Sequence, residues 1–275
     1  MKNILVPTDF SINAWKATAF ILKVFENELC VFYFLHANKS YAPNQRSSEN
    51  NKKVTANNEL KLEQLIEKVK SVTKNENHKH KCVVKASQLK NAIEELQKEI
   101  IFDLIVMGAK GETEPKNRLL GTNSLNIIEA VNSTPVLIVP KNAVFLTHHK
   151  KEMVFATRYE KEFSLYEINF LQDFAATWNA SIRILYVQEE EKLTKKQEER
   201  KEELHLHLGN LTHSFHTLTN IEVPIGIHSF LKSRKSDLLV LNHHKKGFFR
   251  NLFSKDLPEQ LKSQSQIPFL FMSSK

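Results

Sequence analysis

Asp103-Leu-Ile-Val-Met-Gly-Ala-Lys-Gly111 passes from an apolar run straight into two glycines, and after nine residues Gly121-Thr-Asn-Ser124 opens the next periodic segment. A nearly continuous apolar run such as Asp103 to Met107 suits a parallel strand covered on both faces. The helical pattern that follows covers about Ser124 to Val131. A strand, a glycine-bearing loop and a helix N-terminus, in that order, put backbone N–H groups where they can hold phosphate oxygens. Glycine is expected there because a Cβ would block the approach of a ligand to the backbone, and because the turns call for positive φ. Only 6 of 275 residues are glycine, and Gly108, Gly111 and Gly121 are half of them. Isolated glycines would merely shape turns; three spaced this way in a glycine-poor chain favour a phosphate site. The Thr122 hydroxyl and the Asn123 N–H add donors, and Lys110, Lys116 and Arg118 add charge.

Outward from this stretch, the first half alternates strands and helices. Ile4 to Val6 reads as a strand stopped by Pro7-Thr-Asp9. Ser11 then caps a helix carrying Ala14, Ala17, Ile21, Val24 and Phe25 at helical spacing. Cys30 to Ala37 is a buried strand by its aromatic and β-branched content. Ala42 to Asn57, with Pro43-Asn44, reads as an exposed loop, and Glu59 to Val72 as a helix. Cys82 to Val84 is a third strand, Leu89 to Ile100 a helix, and Pro135 to Val139 the last strand. This rhythm implies right-handed βαβ crossovers and a parallel sheet.

The second half repeats the theme. Met153 to Thr157 lies over Ile4 to Thr8, Asp237 to Leu241 over Asp103 to Met107, and Ile267 to Phe271 over Thr134 to Ile138. A period of that length marks a duplicated domain. The expectation is two tandem doubly wound α/β domains, 1–143 and 151–275, with the boundary near Ala143 to Lys151. Within the second, the expected elements are a helix over Phe163 to Trp178, a strand over Ser181 to Val187, a long charged helix from Glu189 to His216, and a strand from Ile221 to Ile225. The crossover before Asp237 is short, so its helix should be stunted.

Composition narrows the class. With 41% hydrophobic and 25% charged residues, the chain can bury real cores. The net charge of +8 admits anionic partners, but the basic residues are scattered rather than gathered in a stripe, which argues against nucleic acid. Cys30 and Cys82 lie in apolar runs without metal spacing and read as small buried hydrophobes in a reducing compartment. Met1-Lys-Asn3 leads into the first strand with no cleavage signal, and no apolar run reaches a membrane span, so a cytoplasmic location is expected. His243-His244 with Lys245-Lys246 show no ligand spacing and read as solvated polar residues, His205 and His207 are two apart on a helix and face different sides, and His148-His149 fall in the expected linker. The run Glu189 to Glu203 mixes signs as a solvated helix face does. Phe248-Phe249 with Phe253 reads equally as a partner patch or as interface core. No catalytic nucleophile–base motif is present, and no catalytic residue is assigned.

Ile4-Leu-Val-Pro-Thr-Asp-Phe-Ser11, the segment Asp103 to Gly111, the full pattern Gly108, Gly111, Gly121-Thr122, and Thr134-Pro-Val-Leu-Ile-Val-Pro140 together resemble the universal stress protein family. The resemblance extends over both halves and is similar to the family's tandem type, whose fold is Rossmann-like and of the adenine nucleotide alpha hydrolase kind. It implies ATP, with Mg²⁺ as a plausible counter-ion, bound by Thr8, Asp9, Ala37, Met107, Gly108, Gly111, Gly121, Thr122 and Asn123. Asp9 would accept hydrogen bonds from the nucleoside, or else cap the following helix; Ala37 would meet adenine through its backbone. In the second half Arg158 stands for Asp9, Asn242 for Gly108, Lys245 for Gly111 and Lys255-Asp256 for Gly121-Thr122. Side chains there would fill the cradle, so that half is expected to bind no ATP. The implied function is a stress-response protein regulated or stabilised by ATP, with the strands Val136 to Val139 and Phe269 to Phe271 joining the halves as a pseudo-dimer. A homodimer and a protein partner also fit the family. The rivals are a scaffold with a vestigial site and a slow ATP hydrolase.

Overall fold

The computed structural model describes residues 1–38, 48–73, 75–111, 120–143, 145, 150–188, 193–242 and 266–272. The chain divides into two compact units, Met1–Pro115 with Leu120–Lys141, and Asn142–Lys275. Each is a five-stranded parallel sheet with helices.

In the first unit β1 (Lys2–Pro7), β2 (Cys30–Ala37), β3 (His78–Lys85), β4 (Leu104–Gly108) and β5 (Val136–Val139) take the order β3-β2-β1-β4-β5. Helices α1 (Ile12–Val24), α2 (Ser48–Val72), α3 (Leu89–Glu99) and α4 (Thr122–Ala130) make the crossovers. Every residue of β4 and β5 is buried, as their unbroken apolar runs require when helices cover both faces. Ser11 caps α1 by accepting the Ala14 N–H at 3.2 Å. Helix α2 begins at Ser48, well ahead of the Glu59 expected from its apolar stripe. The third strand spans eight residues rather than three. It ends the strand order, so its side chains are mixed in exposure, and Cys82 is exposed where a buried residue was expected; Cys30 is buried.

The second unit has β6 (Lys151–Ala156), β7 (Ala180–Gln188), β8 (His213–Thr219), β9 (Leu238–Asn242) and β10 (Phe269–Met272) in the order β10-β9-β6-β7-β8, with α5 (Leu165–Thr177), α6 (Lys195–Leu208) and α7 (Val223–Arg234). Capping boxes start α5, at Ser164 and Glu167, and α6, at Thr194 and Gln197. Three expectations fail here. The charged helix does not run on to His216: Gly209, at φ +48, stops it, as a glycine just past the last helical residue does. His213 to Thr219 then forms β8, a half-exposed strand whose polar residues hide its alternation. The run Ile221 to Ile225 belongs to a loop and to α7, because Pro224 in the first helical turn gives up only an N–H that has no partner there. With β8 placed earlier, α7 has room for twelve residues and is not stunted.

The two units share one device at the amino edge of the sheet. Asn3 N–H donates to Asp103 Oδ2 at 2.7 Å, and Asp103 N–H returns to the Asn3 carbonyl at 2.9 Å. Glu152 and Asp237 repeat the exchange, at 2.9 Å each way. Glu152 adds what Asn3 cannot. Its carboxylate accepts from Arg183 at 2.8 Å, from Arg234 at 2.7 Å and from the Ser236 hydroxyl at 3.0 Å.

Candidate functional site

Four segments of the first unit end together at the carboxyl edge of its sheet. After β1, Thr8 Oγ1 accepts the Phe10 N–H at 3.0 Å and holds Phe10 at φ +63, a region that a bulky residue enters only when fixed from outside. The Phe10 ring lies against His36, at 4.6 Å between centroids, and His36 Nδ1 is 2.9 Å from the Thr8 carbonyl. This turn leaves Asp9 exposed. Its Oδ1 accepts the Ser11 N–H at 3.0 Å, so Asp9 closes the turn while Ser11 is the helix cap.

Gly108 is required in this array for a reason other than positive φ. Among the described glycines only Gly209 has positive φ, so that expectation is overturned for Gly108, Gly111 and Gly121. A Cβ on Gly108 would lie 3.0 Å from the backbone carbon of Asn13 and 3.1 Å from its oxygen; the residue is bare so that α1 can rest on the end of β4. A Cβ on Gly111 would lie 3.2 Å from Asp9 Oδ2. Gly121 precedes the first residue of α4, and its N–H donates to the Ala109 carbonyl at 2.7 Å, closing the loop.

Two residues that sequence reasoning did not single out fix these pieces. Ser124 Oγ donates to the Gly108 and Ala109 carbonyls, at 3.0 Å each, and ties the start of α4 to the end of β4. Asn13 Nδ2 donates to the Lys110 carbonyl at 2.9 Å. The available signal was position: both are polar residues in the first turn of a helix that follows a strand of the site.

The result is a cleft lined by Pro7, Thr8, Asp9, Ala14, Ala37, Leu89, Met107, Gly108, Lys110, Gly111, Asn123 and Ser124, with a volume of about 90 Å³. Seven of the nine residues named from the sequence are in this lining; Gly121 and Thr122 stand beside it at the start of α4. The volume is below the roughly 300–1,000 Å³ of a pocket that swallows a small molecule.

The second unit builds the same turn and a different lining. Thr157 Oγ1 accepts the Tyr159 N–H at 3.2 Å with Tyr159 at φ +52, and Tyr159 packs on Tyr186. Arg158 is exposed and pairs with Glu160 at 3.1 Å. Asn242 ends β9, buried, but does not fill the edge as expected: a cleft of about 80 Å³ remains beside it. His205 Nδ1 faces His213 Nε2 at 2.8 Å, and no group of three His, Cys, Asp or Glu side chains among the described residues could hold a metal ion. Lys116, Arg118, His148-His149, His243-His244, Lys245-Lys246, Phe248-Phe249, Phe253 and Lys255-Asp256 lie outside the described residues, as do Pro43-Asn44 and the start of the charged run at Glu189.

Residues 1–140 match the universal stress protein family. The chain belongs to that family. Solved structures extend the likeness over both units. A universal stress protein from Archaeoglobus fulgidus superposes with a TM-score of 0.67 at 15% identity, covering 98% of this chain and 96% of that one. A protein of unknown function from Pseudomonas aeruginosa gives 0.56 at 14% identity, covering 99% and 92%. The cytoplasmic domain of a prokaryotic cation chloride cotransporter also gives 0.56 at 14%, covering 99% and 95%. At these identities the likeness establishes the tandem Rossmann-like fold of universal stress proteins. No curated protein matches the chain. No helix among the described residues is long and apolar enough to cross a membrane.

Proposed function

We propose that the first unit binds an adenine nucleotide, ATP in the first instance, and that occupancy regulates or stabilises this universal stress protein. The supporting observation is convergence. Segments far apart in sequence bring Asp9, Ala37, Met107, Gly108, Gly111 and Asn123 around one cleft at the carboxyl edge of a doubly wound sheet, where open α/β sheets bind ligands. The phosphates would run from Gly111 toward the exposed first turn of α4, where backbone N–H groups and the helix dipole favour negative charge. Lys110 would add charge, and Ala37 would present its backbone to the base. Mg²⁺ would arrive with the phosphates. Among the described residues Asp9 is the one acidic side chain in the lining, too few donors to hold the ion alone.

The reading favours a ligand-dependent regulator over a catalyst, because no nucleophile and base face each other among the described residues of the lining. A cytoplasmic setting suits the two free thiols, Cys30 and Cys82. The second unit, with Arg158 and Asn242 at the corresponding places, would bind no nucleotide.

Calorimetric titration of ATP into the full-length chain tests this. Wild type is expected to saturate with one site per chain. Gly111→Val puts a branched side chain against the exposed Asp9 carboxylate and should weaken binding by about tenfold or more while leaving the fold intact. Absence of saturable binding by wild type would sink the nucleotide reading in favour of a scaffold. Hydrolysis well above background, lost in the same variant, would favour an enzyme.

A further inference from the structure

Each unit's sheet ends on an outer strand, and the two outer strands differ in charge. In the first unit β3 carries Lys79, Lys81 and Lys85, the residue type that keeps an open edge from pairing with another chain. In the second unit β8 reads His213-Ser-Phe-His-Thr-Leu-Thr219, without a lysine, an arginine or a carboxylate. Thr217 and Thr219 are exposed, and the rest of the strand is half-buried.

The direction of its backbone groups follows from the ladder. β8 runs parallel to β7, with Ile182 opposite His213 and Gln188 opposite Thr219, and the Ile182 N–H donates to the Thr212 carbonyl at 2.9 Å. In a strand the N–H and C=O of one residue point to the same side, and the side alternates along the chain. Ser214, His216 and Leu218 therefore face β7, while His213, Phe215, Thr217 and Thr219 turn their backbone groups outward. No backbone group among the described residues pairs with them.

This outward set is symmetric about His216. Set antiparallel against its own copy, β8 puts His213 opposite Thr219 and Phe215 opposite Thr217, an outward residue against an outward residue each time. All of them then exchange N–H and C=O in both directions. Phe215 against Thr217 is an aromatic on a β-branched residue, a favourable cross-strand pair. His216 meets its own copy, but it is uncharged at neutral pH: burial foremost, with Arg234 and Arg183 adding to it against Glu152, lowers its pKa. On one face of the strand Lys201 of α6 lies over the Phe215 ring at 5.5 Å and His205 packs on the same ring. Glu198 and Glu202 share that side of α6 by their spacing. The helix strips brought together by the twofold axis thus carry both signs.

We propose that β8 is a pairing edge for a second copy of this chain, joined antiparallel about His216. The seam is seven residues long, with α6 on one face and α7, through Phe230 against His216, on the other. That is small for an interface, so the dimer should form in the micromolar range. The pairing is independent of the nucleotide reading, because no residue of β8 lines the first unit's cleft.

Sedimentation of the full-length chain and amide exchange followed by NMR, each at micromolar and at near-millimolar concentration, test this. A dimer should accumulate with concentration, and the amides of His213, Phe215, Thr217 and Thr219 should exchange about tenfold or more slowly in it. Those of His80, Cys82 and Val84 point outward on β3, since the Asn38 N–H takes the Lys85 carbonyl, and should not change. Thr217→Pro removes an outward N–H and leaves the ladder to β7 whole, so it should be monomeric, whereas Thr217→Val should dimerise as wild type does. A chain still monomeric at near-millimolar concentration would overturn the proposal. So would a dimer whose protection falls on another strand, or one that survives Thr217→Pro. The exchange comparison uses wild type alone and stands even where the proline variant does not fold.

Discussion

The two clefts correspond position by position. Pro7 and Ala156 end the first strands, Thr8 and Thr157 hold the turns, and Asp9 and Arg158 stand at the rims. Ala37 matches Val187 and Gly108 matches Asn242 by strand register, and Leu89 and Val223 open the helices α3 and α7. The frame is shared down to the left-handed aromatic, Phe10 or Tyr159. What differs is the chemistry and the length of one turn. The first cleft presents a carboxylate, bare glycine backbone and an open helix N-terminus. The second presents leucine, valine and isoleucine beside Arg158, Glu160 and Lys161, with the buried Asn242 where the first has Gly108. A duplicated sheet edge thus keeps its geometry while a handful of side chains decides what can lie against it.

The largest effect is expected where glycine meets backbone. Gly108→Val should destabilise the first unit by about 3 kcal/mol, because the new Cβ meets the Asn13 backbone, which cannot rotate away. The corresponding Asn242→Ala should change the second unit by less than about 1 kcal/mol, since it removes an acceptor that lacks a partner among the described residues. Amide hydrogen exchange reads each unit separately. Similar losses in both would mean that the two strand ends are packed alike and that the comparison fails.

The fold was legible because β4 and β9 are unbroken apolar runs and because the glycine array follows a strand. The convergence of Asp9, Ala37 and Asn123 on one cleft came from the family resemblance rather than from periodicity. The sequence misled where two signals overlapped. Polar alternation in His213 to Thr219 followed a charged helix without a visible gap, and only Gly209 marked the stop. Val223 and Ile225 looked like strand residues because β-branching outweighed the tolerance of a first turn for Pro224. The glycines were assigned the right place for a wrong reason. Their φ values are ordinary, and the need at Gly108 comes from a helix that no local pattern announces.

The amino edges sharpen the comparison by a smaller amount. Burial alone would raise the Glu152 pKa, but hydrogen bonds from Arg234, Arg183 and Ser236 outweigh it and hold the carboxyl down at about 2. A depressed folded pKa contributes stability that is fully present above the ordinary value of 4.5 and is lost as pH falls toward about 2. The second unit should therefore lose stability across that window through Glu152, a contribution the first unit lacks because Asn3 does not titrate. Glu152→Gln should cost about 2 kcal/mol at neutral pH, less than breaking a fully buried pair, because Arg234 is 34% exposed. It should also flatten the acid slope. An unchanged slope would assign the stability to other groups.

The smallest effect tests what the units share. Thr8→Val and Thr157→Val each remove a hydroxyl that accepts an N–H from a residue held at positive φ, at 3.0 Å and 3.2 Å respectively. Valine keeps the shape and the β-branching, so the loss isolates that hydrogen bond, worth about 1 kcal/mol. The two losses should agree within a few tenths of a kcal/mol, since both turns are closed by the same bond to the same kind of aromatic. If Thr8→Val also weakened ATP by much more than its effect on stability, the Thr8 hydroxyl would be a ligand contact and not only the clasp that turns Asp9 outward. If it left ATP affinity unchanged, Asp9 would not depend on that clasp for its position. A large loss at Thr8 with little at Thr157 would show that the buried Tyr159–Tyr186 packing, where the first unit has the half-buried Phe10 against His36, has taken over the turn in the second unit.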